Sequence, residues 1–361
     1  MLSPFRKSLL LVVPLSFGIG IWWGVVQYRA RMKRAETYER SLNLLAVKGI
    51  FAPEELRRFE MREKISVKLT EISNPEELWL RFESSQGEFD VVTLMNHQIR
   101  PALDRNKLAI LPLDTHAREQ HVAADFSHWP GVEVFPTTLP LLWGVNGFAV
   151  RGATGAAASK PDKEMSWTEL MAFGHGLRLL LSPLDLALLI EQTDPQAELI
   201  LADQQGRLKR KIEELMHHAE IGSDGLLSGL SEAPNAGLSA LQMSHGEFAF
   251  LSTGILEGWR FLLPQSKARL WIMSLVLSQS SPHREEGSAF LRHMLTADSA
   301  AGLVRSSHFA STIRDLEPIK VIDAMLKPSY LRRLPMERLQ FFKVFENEML
   351  IGQMLRVGNK R

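Results

Sequence analysis

The segment "PLLWGVNGFAVR", Pro140 to Arg151, lies near the middle of the chain and has an unusual composition. It is too apolar for a surface loop, and it contains more glycine and proline than an ordinary strand. Together with its flanks it forms the longer stretch "GVEVFPTTLPLLWGVNGFAVRG" (131–152). This stretch predicts two strands, which Pro136, Pro140 and the Gly-Val-Asn-Gly group interrupt.

The residues before this segment alternate between strand and helix patterns. The strand stretches are "LNLLAV" from Leu42, "ISVKLTEI" and "EFDVVTLM"; the helix stretches are "APEELRRFEMREK", "NPEELWLRFESS" and "HQIRPALDRNK". The segment "LAILPLD" ends this run. Short connections between such elements predict a parallel sheet covered by helices. Ligands of such sheets bind at the carboxyl ends of the strands, which points to Ala46–Gly49 and Leu94–His97.

A second α/β unit is predicted over about 150–270. It includes a buried strand in "GLRLLLSP" and a later strand in "EFAFLSTG". Beyond it, "LWIMSLVLSQSSPHREEGSAFLRHMLTADSAAGLV" predicts a strand, a Ser/Pro turn and two helices. Residues 319–361 have apolar side chains at helical spacing.

Charge is unevenly distributed along the 361 residues. Six of the 42 Lys and Arg residues lie in residues 1–34, which contain no acid, so the remaining 36 stand against 41 Asp and Glu. The rest of the chain is therefore mildly acidic. Nucleic acid is not an expected partner, because phosphate binding requires a concentrated basic face.

The basic residues at the start flank the uncharged stretch Ser8 to Gln27. As a helix, its 20 residues would span about 30 Å, enough to cross a bilayer core. Two interpretations stay open, an uncleaved membrane anchor and a cleaved export signal. The length of the apolar run and the absence of an obvious cleavage site favour the anchor.

Motifs of covalent chemistry are absent. The chain has no cysteine, which excludes disulfides and thiolate metal sites, and it has none of the common phosphate-loop, zinc-protease or serine-hydrolase motifs. The 11 histidines are too irregularly placed to predict a metal site. The sequence therefore predicts no enzyme activity, no catalytic residue, no metal and no cofactor.

The order of these pieces resembles periplasmic solute-binding proteins of the spermidine/putrescine type, over about residues 42–315. The resemblance rests on the "G-EFDVV" strand, the "KLAILPLD" ending, the "LPLLWGVNGFAVR" passage, the "SWTELM" helix start, the "EFAFLSTG" strand and the "LWIMSLVLSQSSPHREEGSAFLRHMLTADSAAGLV" stretch. In such proteins the chain crosses more than once between two lobes that close on a solute by hinge motion. An apolar segment broken by glycine and proline suits such a crossing.

The resemblance implies a two-lobe periplasmic-binding-protein-like α/β fold of type II. Each lobe is then a mostly parallel sheet flanked by helices, and an N-terminal transmembrane helix precedes them. The implied divisions are an anchor or uncleaved signal (1–34), a stalk (35–41), lobe 1 (42–149 and 272–312) and lobe 2 (150–271 and 313–361).

The positions that correspond to polyamine contacts have changed. That family holds ammonium groups with carboxylates and aromatic rings. Here Trp271 is kept, but Met273 stands where an acid is expected, Ser252 where an aromatic residue is expected, and His308 near the last contact. The candidate ligand contacts are Lys48, Asn96, His97, Ser182, Asp185, Ser252, Trp271, Met273 and His308.

These features predict an extracytoplasmic solute-binding protein that captures a small molecule other than a polyamine for an ABC-type permease. It would be periplasmic and anchored to the inner membrane by its N-terminal helix, or released to the periplasm if that segment is cleaved. One alternative is a degenerate binding fold that acts as a membrane-anchored sensor or protein-interaction module. A second is an enzyme on a similar two-lobe scaffold, which the missing catalytic signatures disfavour.

Overall fold

The computed structural model describes residues 38–73, 75–113, 136–151, 177–179, 220–221, 240–251, 254, 256–262 and 270–313. Its strands are β1 (Arg40–Val47), β2 (Ile65–Ile72), β3 (Val91–Met95), β4 (Thr138–Arg151), β5 (Leu177–Leu179), β6 (Glu220–Ile221), β7 (Ala240–Ser244), β8 (Trp259–Leu262), β9 (Leu270–Leu277) and β10 (Ala310–Ser311). Its helices are α1 (Pro53–Glu63), α2 (Pro75–Ser84), α3 (Asn96–Asp104), α4 (His245–Leu251), α5 (Arg284–Met294) and α6 (Ala297–Ser307).

The first strands and helices follow the sequence pattern closely. β1 lies between β2 and β3 and is parallel to both, as predicted. It begins at Arg40, two residues before the predicted start. Pro53 stands at the start of α1, where its missing N–H costs nothing, and Lys64 ends the helix in the left-handed conformation.

The prediction that glycine and proline break the 131–152 stretch is wrong for its second half. β4 is one strand of 14 residues, with a register shift between Pro140 and Leu142. It stays continuous because it is hydrogen-bonded on both edges: β9 and then β8 lie along one edge, and β10 and then β7 along the other. The glycines make room for neighbouring aromatic side chains and do not form a turn.

The sheet is mixed, which corrects the prediction of mostly parallel sheets. Its strand order is β2-β1-β3-β9-β4-β7-β5-β6, with β8 and β10 also paired to β4. β1 to β3 and β5 to β7 form parallel groups, whereas β4 and β9 run antiparallel to their neighbours. The antiparallel pair joins the two parallel groups.

One further sequence prediction requires correction. "EFAFL" lies in α4, and the strand there is the preceding β7. The sequence "SHGE" at Ser244–Glu247 explains this error, since it is a capping box: the Ser244 N–H donates to Glu247 Oε2 (2.9 Å), and the Glu247 N–H donates to Ser244 Oγ (3.4 Å). In "LAILPLD", Leu108 makes an isolated bridge to Ser278.

The strand and two helices predicted after Leu270 are confirmed as β9, α5 and α6. α5 packs through Phe290 on the β1–α1 loop (48–52) and on α1: the Phe290 ring lies 5.8 Å from that of Phe51 and 5.1 Å from that of Phe59, between ring centroids. This core extends without interruption to β4 through Leu142 and Trp143. It fixes the parallel strands whose carboxyl ends form the candidate site.

None of the helices in the described ranges is long and apolar enough to cross a membrane. The predicted membrane segment, residues 8–27, lies outside the described residues, as do the predicted helices of 319–361. The domain boundaries and the anchor therefore stay predictions.

Candidate functional site

The carboxyl end of β1 carries the first candidate contact, Lys48, which is exposed. Hydrogen bonds from backbone N–H groups hold the β1–α1 loop (48–52) in its conformation. The Gly49 N–H donates to Glu71 Oε1 (2.9 Å), and the Ile50 N–H donates to the Val47 carbonyl (3.3 Å). Gly49 has a φ of 82°, which a residue with a side chain rarely adopts.

The carboxyl end of β3 supplies Asn96 and His97, the first residues of α3. Asn96 is half-buried, and its Oδ1 accepts a hydrogen bond from the Ile272 N–H of β9 (3.3 Å). His97 is buried. The amide of Gln98 fixes this turn, because its Oε1 accepts from the Met95 N–H (3.0 Å) and its Nε2 donates to the Pro75 carbonyl (2.9 Å).

Trp271 and Met273 of β9 are both fully buried. The Trp271 indole lies over Gly144 of β4: a Cβ there would stand 2.4 Å from Trp271 Cζ2. Its Nε1 donates to Asn146 Oδ1 (3.1 Å), and Phe309 packs edge-on against its ring at 4.7 Å. In this arrangement Trp271 contacts protein on several sides, and its predicted contact with a ligand stays a prediction.

Met273 occupies the middle of the same sheet region. It is paired with Met95 of β3 on one side and with Leu142 of β4 on the other. The three residues form an apolar row across the sheet. A carboxylate at position 273 would be buried there among apolar side chains, at a high desolvation cost.

His308 ends α6 in the left-handed conformation, with φ of 60°, and its N–H donates to the Val304 carbonyl (2.9 Å). Burial lowers the pKa of His308 below its usual 6.5, because a charged imidazolium loses hydration there. Its carbonyl oxygen approaches Gly246 at the start of α4, where a Cβ would stand 2.5 Å away. The second-unit helix α4 thus contacts the end of α6 directly.

Hydrogen bonds connect the elements that carry the described candidates. Asn96 is tied to β9 beside Trp271, and Ser306 of α6 donates its Oγ to the Ile50 carbonyl (2.8 Å), next to the loop that carries Lys48. Ser182, Asp185 and Ser252 lie outside the described residues. The position of Ser252 was inferred from a predicted strand over "EFAFL". The structure shows that this segment belongs to helix α4.

Acidic side chains close to these candidates are already bonded. Glu71 accepts from the Gly49 N–H, and the buried Glu247 accepts from the Ser244 N–H. Among the residues with described structure, no group of three or more His, Asp or Glu side chains could hold a metal ion. The described part of the site therefore offers amide, imidazole and ammonium groups, beside carboxylates that already accept backbone hydrogen bonds.

Sequence reasoning missed Asn146 and two buried polar clusters. Asp90 is fully buried and accepts from the Asn43 N–H (2.7 Å), from Ser281 Oγ (2.7 Å) and from His283 Nδ1 (3.1 Å). Glu55, His293 and Ser299 form the second cluster. The hydrogen-bonded pair Glu55 and His293 is separated by 238 positions in the chain, so no local spacing could have revealed it. A polar residue inside an apolar run, such as Asp90 in "EFDVV", is the one available signal.

Comparison with known proteins gives no match among protein-family models and none among curated sequences. Solved structures do match. The spermidine/putrescine ABC transporter substrate-binding protein PotD of Streptococcus pneumoniae is 14% identical with a TM-score of 0.61, covering 88% of this chain and 99% of its own. The Tp0655 (TpPotD) lipoprotein of Treponema pallidum is 13% identical with a TM-score of 0.61, covering 88% and 98%.

A third neighbour is the Trichodesmium protein IdiA (FutA), solved with iron and citrate ligands. It is 11% identical with a TM-score of 0.55, and the match covers 87% of this chain and 99% of that one. Identities this low establish the fold and nothing finer. The chain therefore has the fold of spermidine/putrescine-type substrate-binding proteins and related periplasmic binding proteins, as its sequence resemblance predicts.

Proposed function

We propose that this protein captures a small solute between two lobes and passes it to an ABC-type importer. The observation that carries the proposal is the path of β4, which pairs with β9 and β10 in its first half and with β7 and β8 in its second. A strand shared in this way can join two bodies and still allow them to rotate. Lys48, Asn96 and His308 lie on elements bonded to this region.

The lobes in this proposal are residues 42–149 with 272–312, and residues 150–271 with 313–361. The protein would stand in the periplasm, held to the inner membrane by residues 8–27. It would perform no covalent chemistry. One observation supports this last point: the buried Ser299 and Glu55 oxygens both face the same His293 nitrogen, Nε2, so they do not form a Ser–His–acid relay.

The proposed solute is not a polyamine. Ammonium groups are held in proteins by carboxylates and open aromatic faces. Around the described candidates, Glu71 and Glu247 are engaged by backbone N–H groups, and the indole of Trp271 is covered. Lys48, exposed at the rim, disfavours a cation by like-charge repulsion.

Thermal-shift screening of the full chain in detergent tests this function. The panel comprises spermidine, putrescine, amino acids, sugars, citrate, phosphate and ferric citrate. A bound solute at a hundredfold excess over its Kd should stabilise the folded state by about 2.7 kcal/mol. A shift with spermidine would refute the proposed selectivity, and no shift with any compound would refute solute capture and leave the interaction module as the better account.

Membrane attachment is tested separately. In sealed inner-membrane vesicles of both orientations, the globular part should be degraded by added protease only where the periplasmic face is outward. Extraction by carbonate would show that the chain is not anchored.

A further inference from the structure

Three helices meet at a buried polar cluster that the proposed function does not use. Glu55 of α1, His293 of α5 and Ser299 of α6 are 1%, 5% and 1% exposed. His293 Nε2 lies 3.2 Å from Glu55 Oε1 and 3.1 Å from Ser299 Oγ. Arg58 pairs with the other Glu55 oxygen from the solvent side. Burying a charged group costs free energy unless the group is paired and hydrogen-bonded, as Glu55 is here. A cluster of this kind is therefore expected to have a structural or functional role.

The glycine at position 302 makes this arrangement possible. A Cβ at Gly302 would stand 2.3 Å from Glu55 Oε2 and 3.1 Å from an Arg58 guanidinium nitrogen. Glycine inside a helix costs about 1 kcal/mol relative to alanine. Here the absent side chain allows α6 to pack directly on the carboxylate, which puts the helix and the charge at a fixed separation.

Glu55 is ionised in this setting. Burial raises its pKa, but hydrogen bonds from His293 and Ser299 and the charge of Arg58 outweigh burial and hold the pKa below 4.5. The titratable groups that face it are Arg58 on its own helix and His293 on α5, while α6 presents Ser299 and Gly302, which do not titrate. The carboxylate also lies in the first turn of α1, where the helix dipole favours negative charge.

The cluster is connected to the candidate site through the start of α1 and through α6. α1 begins at Pro53, immediately after the β1–α1 loop, so Glu55 fixes the end of that loop. At the other end of α6, Ser306 Oγ donates to the Ile50 carbonyl of the same loop (2.8 Å). The next residue but one is His308, which ends α6. α6 is thus bonded to Glu55 of α1 near its start, through Ser299, and to the β1–α1 loop near its end, through Ser306.

We propose that the Glu55–His293–Ser299 cluster is a positioning device for the solute site, which holds the β1–α1 loop with Lys48 and the end of α6 with His308 as one rigid unit. This inference rests on the proposed function, because that function makes this region a solute-binding site. None of its residues contacts the solute. They act through α1 and α6, whose separation is set by the contact of Gly302 with the carboxylate.

Hydrogen exchange of the full chain, with local resolution, tests the proposal without a ligand. Glu55→Gln and Gly302→Ala should each accelerate exchange of the Gly49, Ile50 and Phe309 amides at least tenfold, whereas exchange of β3 stays within twofold of the wild type. Phe82→Leu, which removes buried volume from α2, serves as a control of matched Tm loss and should leave the loop at its wild-type rate. Equal acceleration of all amides in both variants and control would overturn the proposal.

Two further measurements exclude a purely structural role. Glu55→Asp withdraws the carboxylate by about one bond length, so the Glu55→Asp/Gly302→Ala double variant should recover loop protection that either single variant lacks. After correction for intrinsic rates, wild-type loop protection should fall as the pH drops below 4.5, and Glu55→Gln should show no such fall. Strictly additive losses or an unchanged pH profile would contradict the proposal. If no solute is found in the screen, these exchange results still stand, and only their meaning for binding is lost.

Discussion

The two halves of β4 share one backbone conformation but have different surroundings. In the first half, Gly144 lies under Trp271, which is fully buried, hydrogen-bonded to Asn146 and packed against Phe309. In the second half, Gly147 lies under Phe261 of β8, which is half-buried. Each glycine accommodates an aromatic ring. The rings differ in their freedom to move, because one is enclosed by the main core and the other lies at the border of a smaller cluster.

The smaller cluster contains Ala149 with residues from β7, α4 and the turn before β8: Leu241, Met243, Phe248 and Leu256. The main core includes the first half of β4 and extends to α5 and α6. Identical changes in the two halves of the strand should therefore have unequal costs. A first half of β4 that resists substitution and a second half that accepts it would suit a strand that is fixed in one lobe and extends into the other.

Trp271→Ala should have the largest effect. Removing a buried aromatic side chain costs about 3–5 kcal/mol, and here Asn146 also loses its indole partner. Trp259→Ala in β8 is the matched change, and it should cost no more than about 1.5 kcal/mol because Trp259 is half-buried and stacks on Arg151. Urea unfolding of both variants measures the difference. Equal losses would remove the contrast between the two halves.

Gly144→Ala should destabilise by about 2–3 kcal/mol, because the new methyl group would overlap a ring that is fixed on several sides. Gly147→Ala would also meet a ring carbon of Phe261, at 2.5 Å, and the Leu262 carbonyl, at 2.6 Å. We expect the half-buried strand β8 to yield more readily than the fully buried Trp271. We expect about 1–2 kcal/mol there. The same unfolding assay decides the order, and a larger loss for Gly147→Ala would contradict our account of the two rings.

Ser244→Ala removes one of the two capping bonds of α4 and should cost about 1 kcal/mol. The comparison is Thr296→Ala at the start of α6, where the hydroxyl accepts from the Ser299 N–H (3.4 Å) and also donates to the His293 carbonyl (2.8 Å). The Thr296 hydroxyl also lies 2.9 Å from Ser299 Oγ, so Thr296→Ala should cost slightly more because it removes three hydrogen-bond contacts. Exchange rates of the first-turn amides of each helix report the local loss, and unchanged rates in α4 would show that its cap is dispensable.

The pH dependence should be the smallest effect near neutrality. The pKa of His308 is lowered by burial, so its contribution to stability is complete above pH 6.5 and is lost as the pH falls from 6.5 through the folded value. The pKa of Glu55 is also lowered, so its contribution is present above pH 4.5 and is lost below it. A plot of Tm against pH should show both declines. His308→Asn, which tolerates the left-handed conformation, should abolish the first decline, and Glu55→Gln the second.

Local sequence signals predicted several strands and helices well. Pro53 and Pro75 mark helix starts, and apolar runs mark β1, β3 and β9. The errors arose where a neighbour decides the outcome. The Gly-Val-Asn-Gly group is a strand because β9 pairs with Gly144 and Val145 and β7 pairs with Asn146 and Gly147. "EFAFL" is helical because Ser244 and Glu247 cap it. The cap was readable as S-x-x-E, whereas the edge pairing was not.

The candidate site was predicted only in part for the same reason. The positions of Lys48, Asn96 and His97 follow from strand ends, which local patterns reveal, whereas His308 follows from the family resemblance. Their contact with a solute stays a prediction. The burial of Trp271, its bond to Asn146 and the meeting of Glu55 with His293 depend on residues 125 and 238 positions apart. No periodicity connects such positions.

The sequence alone determined the order of most of the described strands and helices and the absence of thiol chemistry, because these depend on composition and on neighbours within a few residues. Only the tertiary structure decided that β4 is one strand with two sets of partners, that two of its glycines lie under aromatic rings, and that a buried carboxylate fixes α6. These outcomes depend on which distant side chains fill the same volume, and close packing settles that choice for the whole core at once.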